Sequence, residues 1–436
     1  MCLLSPTIPA KYQKDLQMPD PIHIHAVCKP TVHLECLLKE NSTCRFDLIR
    51  EDVRQWMVDN YSVIVLDSDV LGFDIHETLC GFIENIRVVE VSGSLEEVLQ
   101  LDQVELEIHI YKFSKIVNHS EYLEDEDDTP AANIINLPSE ILEGIWETLI
   151  FEDDLKKSLL LFIHAIMLFS DHGVDQNIIA LNRLIILHGP PGTGKTSLCK
   201  SLSQKLSIRM SKRYPRSQLI EINVHSLFSK YFSESGKLVG KIFGDILKIV
   251  EDGDSFVCVL IDEVESLVSA RKAAVSGCEP SDALRVVNAL LTQLDRLKSK
   301  PNVLVMATSN LLEAMDEAFI DRAGIVSFVG NPALAAIYSI LRSCLNELAR
   351  ARVIESQEQI ITYAEAIMKL YSCPASDSSK LYRISEICKG MSGRLLRGLP
   401  VIAFSRYIQK PGLSLADMIS ALYQVAKEEQ KRLEQR

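Results

Sequence analysis

A short apolar run that leads directly into a glycine-rich turn and then into a helix is the strongest constraint on how this chain folds. The apolar run is Leu184–Leu187, and the turn Gly189–Thr196 has the pattern G-x-x-x-x-G-K-T. Leu198, Leu202 and Leu206 follow at a spacing of four, which is typical of one face of a helix. In such a unit the glycines let backbone N–H groups turn toward phosphate oxygens, and the helix N-terminus adds a positive end. The pattern therefore predicts a parallel-sheet domain that holds a phosphorylated ligand.

The residues of this turn have predicted roles in binding a nucleotide. The predicted nucleotide-binding loop consists of Gly189, Pro190, Pro191, Gly192, Thr193, Gly194, Lys195, Thr196 and Ser197. Lys195 would place its ammonium group beside the β and γ phosphates, and Thr196 would offer its hydroxyl to Mg²⁺. We therefore expect ATP and Mg²⁺ as the cofactors. The alternative, a glycine-rich turn without a ligand, is disfavoured by the flanking strand and helix.

An acidic pair ends a second apolar strand. Asp262 and Glu263 come directly after Val257–Ile261. Asp262 is expected to hold Mg²⁺ through water, and Glu263 to orient the water that attacks the γ phosphate. A carboxylate that positions water favours hydrolysis over phosphoryl transfer to another substrate. A strand that ends in a solvated acidic turn is the alternative for this pair.

A third apolar strand, Val303–Ala307, ends in polar residues and is followed by an arginine. Asn310 is expected to hold the attacking water or the γ phosphate, with a turn-forming asparagine as the alternative. Arg322 is predicted to reach the γ phosphate bound by a neighbouring subunit, because a planar guanidinium suits that role. The alternative for Arg322 is a surface salt bridge.

Changes in composition divide the chain into five predicted segments. These are a flexible lead-in at 1–20, a substrate- or adaptor-binding domain at 21–115, an acidic linker at 116–132, the large ATPase domain at 133–330 and a helical lid at 331–436. The second segment contains β-branched runs with period-two alternation, which indicates a small α+β or α/β domain. The linker contains six acids in the eight residues from 121 to 128. Such a run cannot bury enough surface to fold, so a solvated linker is expected, with an acidic interaction tail as the alternative.

The net charge, the cysteine pattern and the length of the apolar runs disfavour nucleic acid, zinc and membranes as partners. The formal net charge is −13, which disfavours direct binding to nucleic acid. The eleven cysteines contain no C-x-x-C pair, so we expect reduced thiols and no zinc site. The longest apolar run, at 159–169, is shorter than the ~20 residues needed to cross a bilayer, and no secretory signal is visible. We therefore expect no membrane partner.

The order and spacing of these motifs resemble the AAA+ ATPases, and within them the pachytene-checkpoint branch, also called the thyroid-receptor-interacting AAA+ protein family. The resemblance covers about residues 131–430. The stretches that carry it are 187–200, 219–223, 225–239, 261–267, 279–289 and 391–397. It implies a three-layer α/β P-loop domain with a small helical lid, assembled as a homo-hexamer with nucleotide between subunits. One departure from the wider superfamily is that Arg322 has no second arginine nearby.

The resemblance also implies roles for residues outside the three strand ends. The pore loop that grips a threaded peptide would be Lys230, Tyr231 and Phe232, with Arg271–Ser281 as a second pore loop. Arg394 would act as a sensor arginine that enters from the lid of the same subunit. Ile150 and Phe151 would pack near adenine. Core packing is the alternative for Tyr231 with Phe232 and for Ile150 with Phe151, and a loop without this role is the alternative for Arg271–Ser281.

The function implied by the resemblance is ATP-driven opening of closed HORMA-domain proteins of the spindle checkpoint and of meiotic chromosome axes. A comet-type adaptor would present the spindle-checkpoint substrate. The implied location is the nucleus and meiotic chromosomes, with kinetochores and cytoplasm as further places. Two rival functions remain open, a nucleic-acid-linked motor such as a clamp or helicase loader and a non-catalytic ATP-gated scaffold. The acidic charge and Tyr231 disfavour the first, while Lys195, Glu263 and Arg322 disfavour the second.

Overall fold

A computed structural model describes most of the chain. The described residues are 29–92, 98–114, 132–151, 154–224, 235–266, 282–315, 317–355, 360–370, 372–408 and 413–435. They fall into two compact units, one ending at Ile110 and the other beginning at Tyr111. No helix among these residues is long and apolar enough to cross a membrane.

The N-terminal unit is built on an antiparallel sheet. Its elements are β1 (Thr31–Leu38), α1 (Phe46–Asn60), β2 (Val63–Val65), β3 (Ser68–Asp69), α2 (Leu79–Phe82), β4 (Ile83–Ser92), β5 (Val98–Gln100) and β6 (Glu105–Tyr111), with 3₁₀ turns at Phe73–Ile75 and Leu101–Gln103. Four strands form one sheet in the order β3-β4-β1-β6, and β2 pairs with β5. The β1–β4 and β2–β5 pairs are both antiparallel. This unit is therefore of the α+β class, one of the two classes that the sequence left open.

The core of the N-terminal unit lies on one face of this sheet. Val32 and Leu34 on β1 and Ile108 on β6 are fully buried in the same cluster as Val53 and Met57 of α1. Alternate residues along a strand point to opposite faces. The residues between these apolar positions on β1 and β6 therefore face away from the core.

The large part of the C-terminal unit is a six-stranded sheet with helices on both faces. Its elements are β7 (Ala132–Leu137), α3 (Ile145–Thr148), α4 (Leu155–Asp171), β8 (Leu184–His188), α5 (Lys195–Arg209), β9 (Arg216–Ile222), α6 (Ser235–Glu251), β10 (Ser255–Ile261), α7 (Asp282–Lys298), β11 (Val303–Ser309), α8 (Glu317–Ile320) and β12 (Ile325–Phe328), with 3₁₀ turns at Glu140–Leu142 and Leu312–Ala314. The strand order is β12-β8-β11-β10-β9-β7. All neighbours are parallel except β7, which runs antiparallel to β9.

The central strands of this sheet are buried because two helical layers cover them. All residues of β10 and β11 are buried. Val257 and Val259 face one core cluster with α6 and α7, whereas Cys258 and Leu260 face another with α4 and α5. The structure thus has the predicted three layers. Since parallel strands end at the same edge, the residues that follow β8, β10 and β11 come together there.

The remainder of the C-terminal unit is a helical lid. It contains α9 (Leu334–Arg350), β13 (Ile354–Glu355), α10 (Tyr363–Lys369), α11 (Asp377–Ile387), α12 (Gly393–Ala403), a π-helical turn (Phe404–Ile408), β14 (Leu413–Ser414) and α13 (Leu415–Glu434). The Ser392 and Ser414 hydroxyls accept backbone hydrogen bonds at the starts of α12 and α13. The predicted α/β ATPase fold with a helical lid is confirmed, with one addition: β13 and β14 form a short parallel pair.

Candidate nucleotide-binding site

The turn between β8 and α5 packs tightly on its surroundings. Gly189 has a φ of 145°, and a Cβ there would lie 2.2 Å from the Val329 carbonyl oxygen. Gly192 has a φ of 79°, and a Cβ there would lie 3.1 Å from the Cβ of Arg394. The Gly192 carbonyl also accepts a 3.1 Å hydrogen bond from the Arg394 backbone N–H. Side chains at these positions would push the loop away from β12 and from the lid.

Lys195 is held inside this loop by three acceptors. Its Nζ donates to the carbonyl oxygens of Gly189 at 2.7 Å and Pro190 at 2.8 Å, and to Asn310 Oδ1 at 2.9 Å. Burial lowers the pKa of Lys195, and the carboxylates of Glu265 and Asp262 oppose that shift. The ammonium group is therefore positioned at the edge of the sheet where the phosphates of a nucleotide would enter.

Thr196 and Asp262 bring hard oxygen ligands together. The Thr196 hydroxyl donates to Asp262 Oδ1 at 3.0 Å and Oδ2 at 3.1 Å, and the Thr308 hydroxyl also donates to Oδ1. Mg²⁺ binds oxygen at 2.0–2.1 Å in octahedral geometry, so adjacent ligand oxygens lie about 2.9 Å apart. The Thr196–Asp262 spacing fits that arrangement. These residues could hold Mg²⁺, which would neutralise phosphate charge.

Glu263 occupies an unusual backbone conformation. Its φ is 57°, in the left-handed region that residues other than glycine seldom adopt. The Glu263 backbone N–H donates to the Thr308 hydroxyl at 3.3 Å, and the Val264 backbone N–H donates to the Thr308 carbonyl at 3.0 Å. Such a conformation costs about 1–3 kcal/mol and persists where neighbouring structure fixes it. Here it places the Glu263 side chain along the cleft beside Asp262.

Asn310 connects the phosphate loop to an acid that the sequence motifs did not identify. Its Oδ1 accepts from Lys195, and its Nδ2 donates to Glu265 Oε1 at 2.6 Å. Neither Glu265 nor Thr308 is predicted as a site residue from the sequence. The only signal for them in the sequence is their closeness to the two strand ends. These two hydrogen bonds, to Lys195 and to Glu265, fix the orientation of the Asn310 side-chain amide beside the phosphate loop.

The predicted residues of three strand ends, of the segment between α3 and α4 and of the lid meet in one cleft with a volume of about 460 Å³. The predicted residues that line it are Ile150, Phe151, Pro191, Gly192, Thr193, Gly194, Lys195, Thr196, Ser197, Asp262, Glu263, Asn310 and Arg394. Gly189 and Pro190 contribute their carbonyls to Lys195 instead. Arg397 also lines the cleft, and its Nη2 donates to the Thr148 carbonyl at 3.0 Å. The lid thus contacts both ends of the cleft.

Arg322 lies elsewhere. Its Nε and Nη2 donate to the two carboxylate oxygens of Asp295 at 2.8 and 2.9 Å, and its Nη1 donates to the Ala318 carbonyl at 2.6 Å. The hydrogen bonds to Asp295 raise the pKa of Arg322. In the single chain Arg322 forms the salt bridge that was its alternative role, and its trans role stays a prediction. Lys230, Tyr231, Phe232 and the second pore loop lie outside the described residues.

Comparisons with known proteins agree with this geometry. The family model "ATPase family associated with various cellular activities (AAA)" matches residues 185–331, the model "TRIP13-like, AAA+ ATPase lid C-terminal domain" matches 333–430, and the model "TRIP13 N-terminal domain" matches 27–115. Curated relatives named pachytene checkpoint protein 2 homolog include those of Danio rerio and Homo sapiens. Each is 42% identical over 400 residues; the alignments cover 91% and 90% of this chain and 93% and 92% of the relatives. The chain belongs to the TRIP13-like pachytene checkpoint protein 2 family.

Solved structures extend the comparison for this TRIP13-like protein. The structure of C. elegans PCH-2 is 34% identical, with a TM-score of 0.73 over 92% of this chain and 100% of that one. An E. coli HORMA:CdnC:Trip13 complex contains a chain that is 16% identical, with a TM-score of 0.51 over 67% of this chain and 94% of that one. At that identity the second structure shows a shared fold. The TRIP13-like protein is therefore an AAA ATPase.

Proposed function

We propose that this TRIP13-like ATPase hydrolyses ATP to convert closed HORMA-domain proteins to their open form. The observation that carries the proposal is a cleft in which Lys195, Thr196, Asp262 and Glu263 meet Arg394 of the lid, in a member of this family. The E. coli chain with the same fold is described in complex with a HORMA protein. That description supports HORMA proteins as the substrate class.

The catalytic roles follow from the positions of the side chains. Lys195 and the N–H groups at the start of α5 would bind the phosphate oxygens. Thr196 and Asp262 would hold Mg²⁺. Glu263 would orient the attacking water and accept its proton, and Asn310 would help position that water near Lys195. Each role uses a residue that lines the cleft.

Contacts between the lid and the cleft would couple nucleotide binding to movement of the lid. The Arg394 backbone N–H donates to the Gly192 carbonyl of the phosphate loop, and Arg397 donates to the Thr148 carbonyl, near the predicted adenine-packing residues Ile150 and Phe151. Both contacts cross from α12 to residues that line the cleft. Binding and release of nucleotide would therefore change how the lid is held, which is the movement that a remodelling enzyme needs.

The assembly is also part of the proposal. A homo-hexameric ring would bring Arg322 of one subunit to the γ phosphate of the next, and the predicted pore loop of Lys230, Tyr231 and Phe232 would grip the substrate. A comet-type adaptor would present the spindle-checkpoint substrate to the N-terminal unit. The proposed roles are spindle-checkpoint silencing and control of meiotic recombination and synapsis, in the nucleus and on chromosomes, with kinetochores and cytoplasm as further places.

A substrate trap tests the proposal. Glu263→Gln should bind ATP, fail to hydrolyse it and retain a closed HORMA protein in a pull-down, because the ring would stop before release. Glu313→Gln, which changes an exposed acid, is the matched control and should behave as wild type. Ion-exchange chromatography can separate the open and closed forms of the substrate. Wild-type protein that hydrolyses ATP but never opens a HORMA protein would rule out this function.

A second variant tests the coupling of hydrolysis to the substrate. Tyr231→Ala should keep basal ATPase activity and lose substrate opening, because an aromatic ring gives large contact area at low rotamer cost. The nucleic-acid-linked motor is the main alternative. If single-stranded DNA stimulates the ATPase activity and a HORMA protein does not, that alternative is favoured over the proposed function.

A further inference from the structure

Two histidines and a glutamate meet on the sheet of the N-terminal unit. His33 lies on β1, and Glu107 and His109 lie two residues apart on the neighbouring strand β6. All three alternate with core residues of their strands, so their side chains point to the face opposite the core. His109 is 3% exposed, whereas the Glu107 side chain is 43% exposed. The cluster is thus anchored in the protein and open to solvent on one side.

The side-chain atoms of this cluster lie close together. His33 Nδ1 is 3.1 Å from His109 Nε2 and 3.4 Å from Glu107 Oε2. One ligand atom from each of the three residues lies within 4.8 Å of the others. On the far side of the ring, His33 Nε2 is 3.2 Å from the Ser92 hydroxyl on β4. These four side chains come from three strands.

The contact with Ser92 affects which nitrogen of His33 carries the proton. If Nε2–H donates to the Ser92 hydroxyl, Nδ1 of the neutral ring presents a lone pair to His109 and Glu107. In that tautomer His33 Nδ1 and the Glu107 carboxylate both present lone pairs to a cation that lies between them. A cation placed among the three atoms would interact favourably with all of them.

We propose that His33, Glu107 and His109 form a site for a divalent transition-metal ion of the zinc class. Zinc binds histidine nitrogen and carboxylate oxygen at about 2.0–2.2 Å in tetrahedral geometry, which puts adjacent ligand atoms about 3.3 Å apart. The separations of His33 Nδ1 from His109 Nε2 and Glu107 Oε2, 3.1 and 3.4 Å, match that spacing. The fourth position faces the exposed side of Glu107 and takes a water molecule.

The ligand set distinguishes this site from the nucleotide cleft. Imidazole nitrogens suit zinc, copper and nickel, whereas Mg²⁺ and Ca²⁺ prefer oxygen ligands such as those of Thr196 and Asp262. The sequence-based expectation of no zinc site rested on the absence of C-x-x-C pairs and of Cys/His clusters in the sequence, whereas this cluster contains no cysteine and joins histidines that are far apart in the chain. A bound ion would link β1 to β6 and hold the outer face of the sheet together.

Metal titration of the full-length protein tests the proposal. The protein is stripped with a chelator and titrated, without nucleotide or Mg²⁺, with Zn²⁺ by calorimetry and with Co²⁺ by visible absorption, which reports tetrahedral coordination. His33→Ala and Glu107→Gln should each weaken the tight site by roughly 100-fold or more, since even an outer partner of a ligand is worth 10–100-fold. His164→Ala, which removes an exposed histidine on α4, is the matched control and should leave binding unchanged.

The variants are chosen so that the result is decisive. Glu107 is half-exposed, so its replacement by glutamine should leave the fold intact, as circular dichroism can verify. Metal that binds at Asp262 or at a cysteine should be unaffected by Glu107→Gln. The metal bound at the cluster is therefore the difference between the uptake of the wild type and the uptake of this variant. One zinc per chain in the wild type, lost in both cluster variants, supports the site. Wild-type uptake that equals that of both variants would overturn it.

Discussion

In the nucleotide cleft, Lys195 and Thr196 come from one continuous turn, whereas in the N-terminal cluster His33 and His109 are 76 residues apart and meet only as neighbours in a sheet. The cleft forms where parallel strands end, so its ligands are grouped by strand direction. The cluster forms across two neighbouring strands, β1 and the edge strand β6, so its ligands depend on which strands are adjacent and in what register. A site at strand ends leaves a motif in the sequence, and a cross-strand site leaves none.

The two sites also differ in charge and burial. The cleft contains one buried cation, Lys195, surrounded by Asp262, Glu263 and Glu265, and it lies against a lid that touches it at Gly192. The N-terminal cluster has two imidazoles and one carboxylate on the face of a sheet. The cleft is suited to a polyanionic ligand that is bound and released, and the cluster to a single small cation.

The largest expected effect concerns Arg322, which the single chain keeps outside the cleft. Arg322→Ala should reduce ATPase activity roughly 10³-fold or more while ATP binding remains, because a trans arginine stabilises the transition state. Arg296→Ala, at an exposed arginine beside Asp295, is the control and should be near wild type. Steady-state ATPase assays and nucleotide-binding assays measure the two properties separately.

Mixed assemblies test whether Arg322 acts across a subunit boundary. Inactive Arg322→Ala and Glu263→Gln chains, combined before assembly, should recover some activity, because certain interfaces then pair an intact arginine with an intact site. If mass measurement shows mixed rings and the ATPase activity stays absent, Arg322 acts within its own chain or not at all.

The next effect concerns the separate cores of the two units. Ile108 and Ile186 are both fully buried, the first in the N-terminal core and the second in the large ATPase domain. Truncation of either to alanine should cost about 2–5 kcal/mol of unfolding free energy in its own unit. Hydrogen exchange followed by mass spectrometry localises the loss. Ile108→Ala should therefore leave the exchange of α5 unchanged, and faster exchange of α5 would mean that the two cores are coupled.

Ligands should stabilise the two sites independently. A non-hydrolysable ATP analogue with Mg²⁺ at 100 times its Kd should stabilise the ATPase domain by about 2.7 kcal/mol, because it binds only the folded form. Zn²⁺ should instead slow hydrogen exchange in β1 and β6. If the nucleotide alone slowed hydrogen exchange in β1 and β6, or Zn²⁺ alone slowed it in α5, the two sites would not be independent.

The smallest expected effect is at the start of the last helix of the lid, α13. The Ser414 hydroxyl accepts from the Asp417 backbone N–H, so Ser414→Ala should cost about 1 kcal/mol of lid stability. Ser420→Ala is the control, since Ser420 is exposed in the interior of α13 and donates only to the Ala416 carbonyl. Chemical denaturation measures the unfolding free energy of both variants. An equal loss of unfolding free energy in Ser414→Ala and Ser420→Ala would contradict a capping role for Ser414.

Much of the ATPase domain could be predicted from short segments. The strand, turn and helix from 184 to 206 specify the phosphate loop, because the glycines, Lys195 and Thr196 lie on one continuous backbone. The apolar runs that end at Asp262 and Asn310 predict parallel strands, and strand direction alone brings their ends to one edge. Even the α+β character of the N-terminal unit was one of two classes that its alternating strands allowed.

Other features required the folded chain. The left-handed backbone at Glu263, the amide of Asn310 between Lys195 and Glu265, and the pairing of Arg322 with Asp295 depend on segments that no local pattern connects. The approach of His33 to Glu107 and His109 depends in the same way on the strand order of the N-terminal sheet. The sequence by itself determined the phosphate loop and the strand-end residues, since their geometry follows from local backbone and strand direction. Only the tertiary structure decided the contacts between distant segments, because these depend on sheet register and on the packing of the lid.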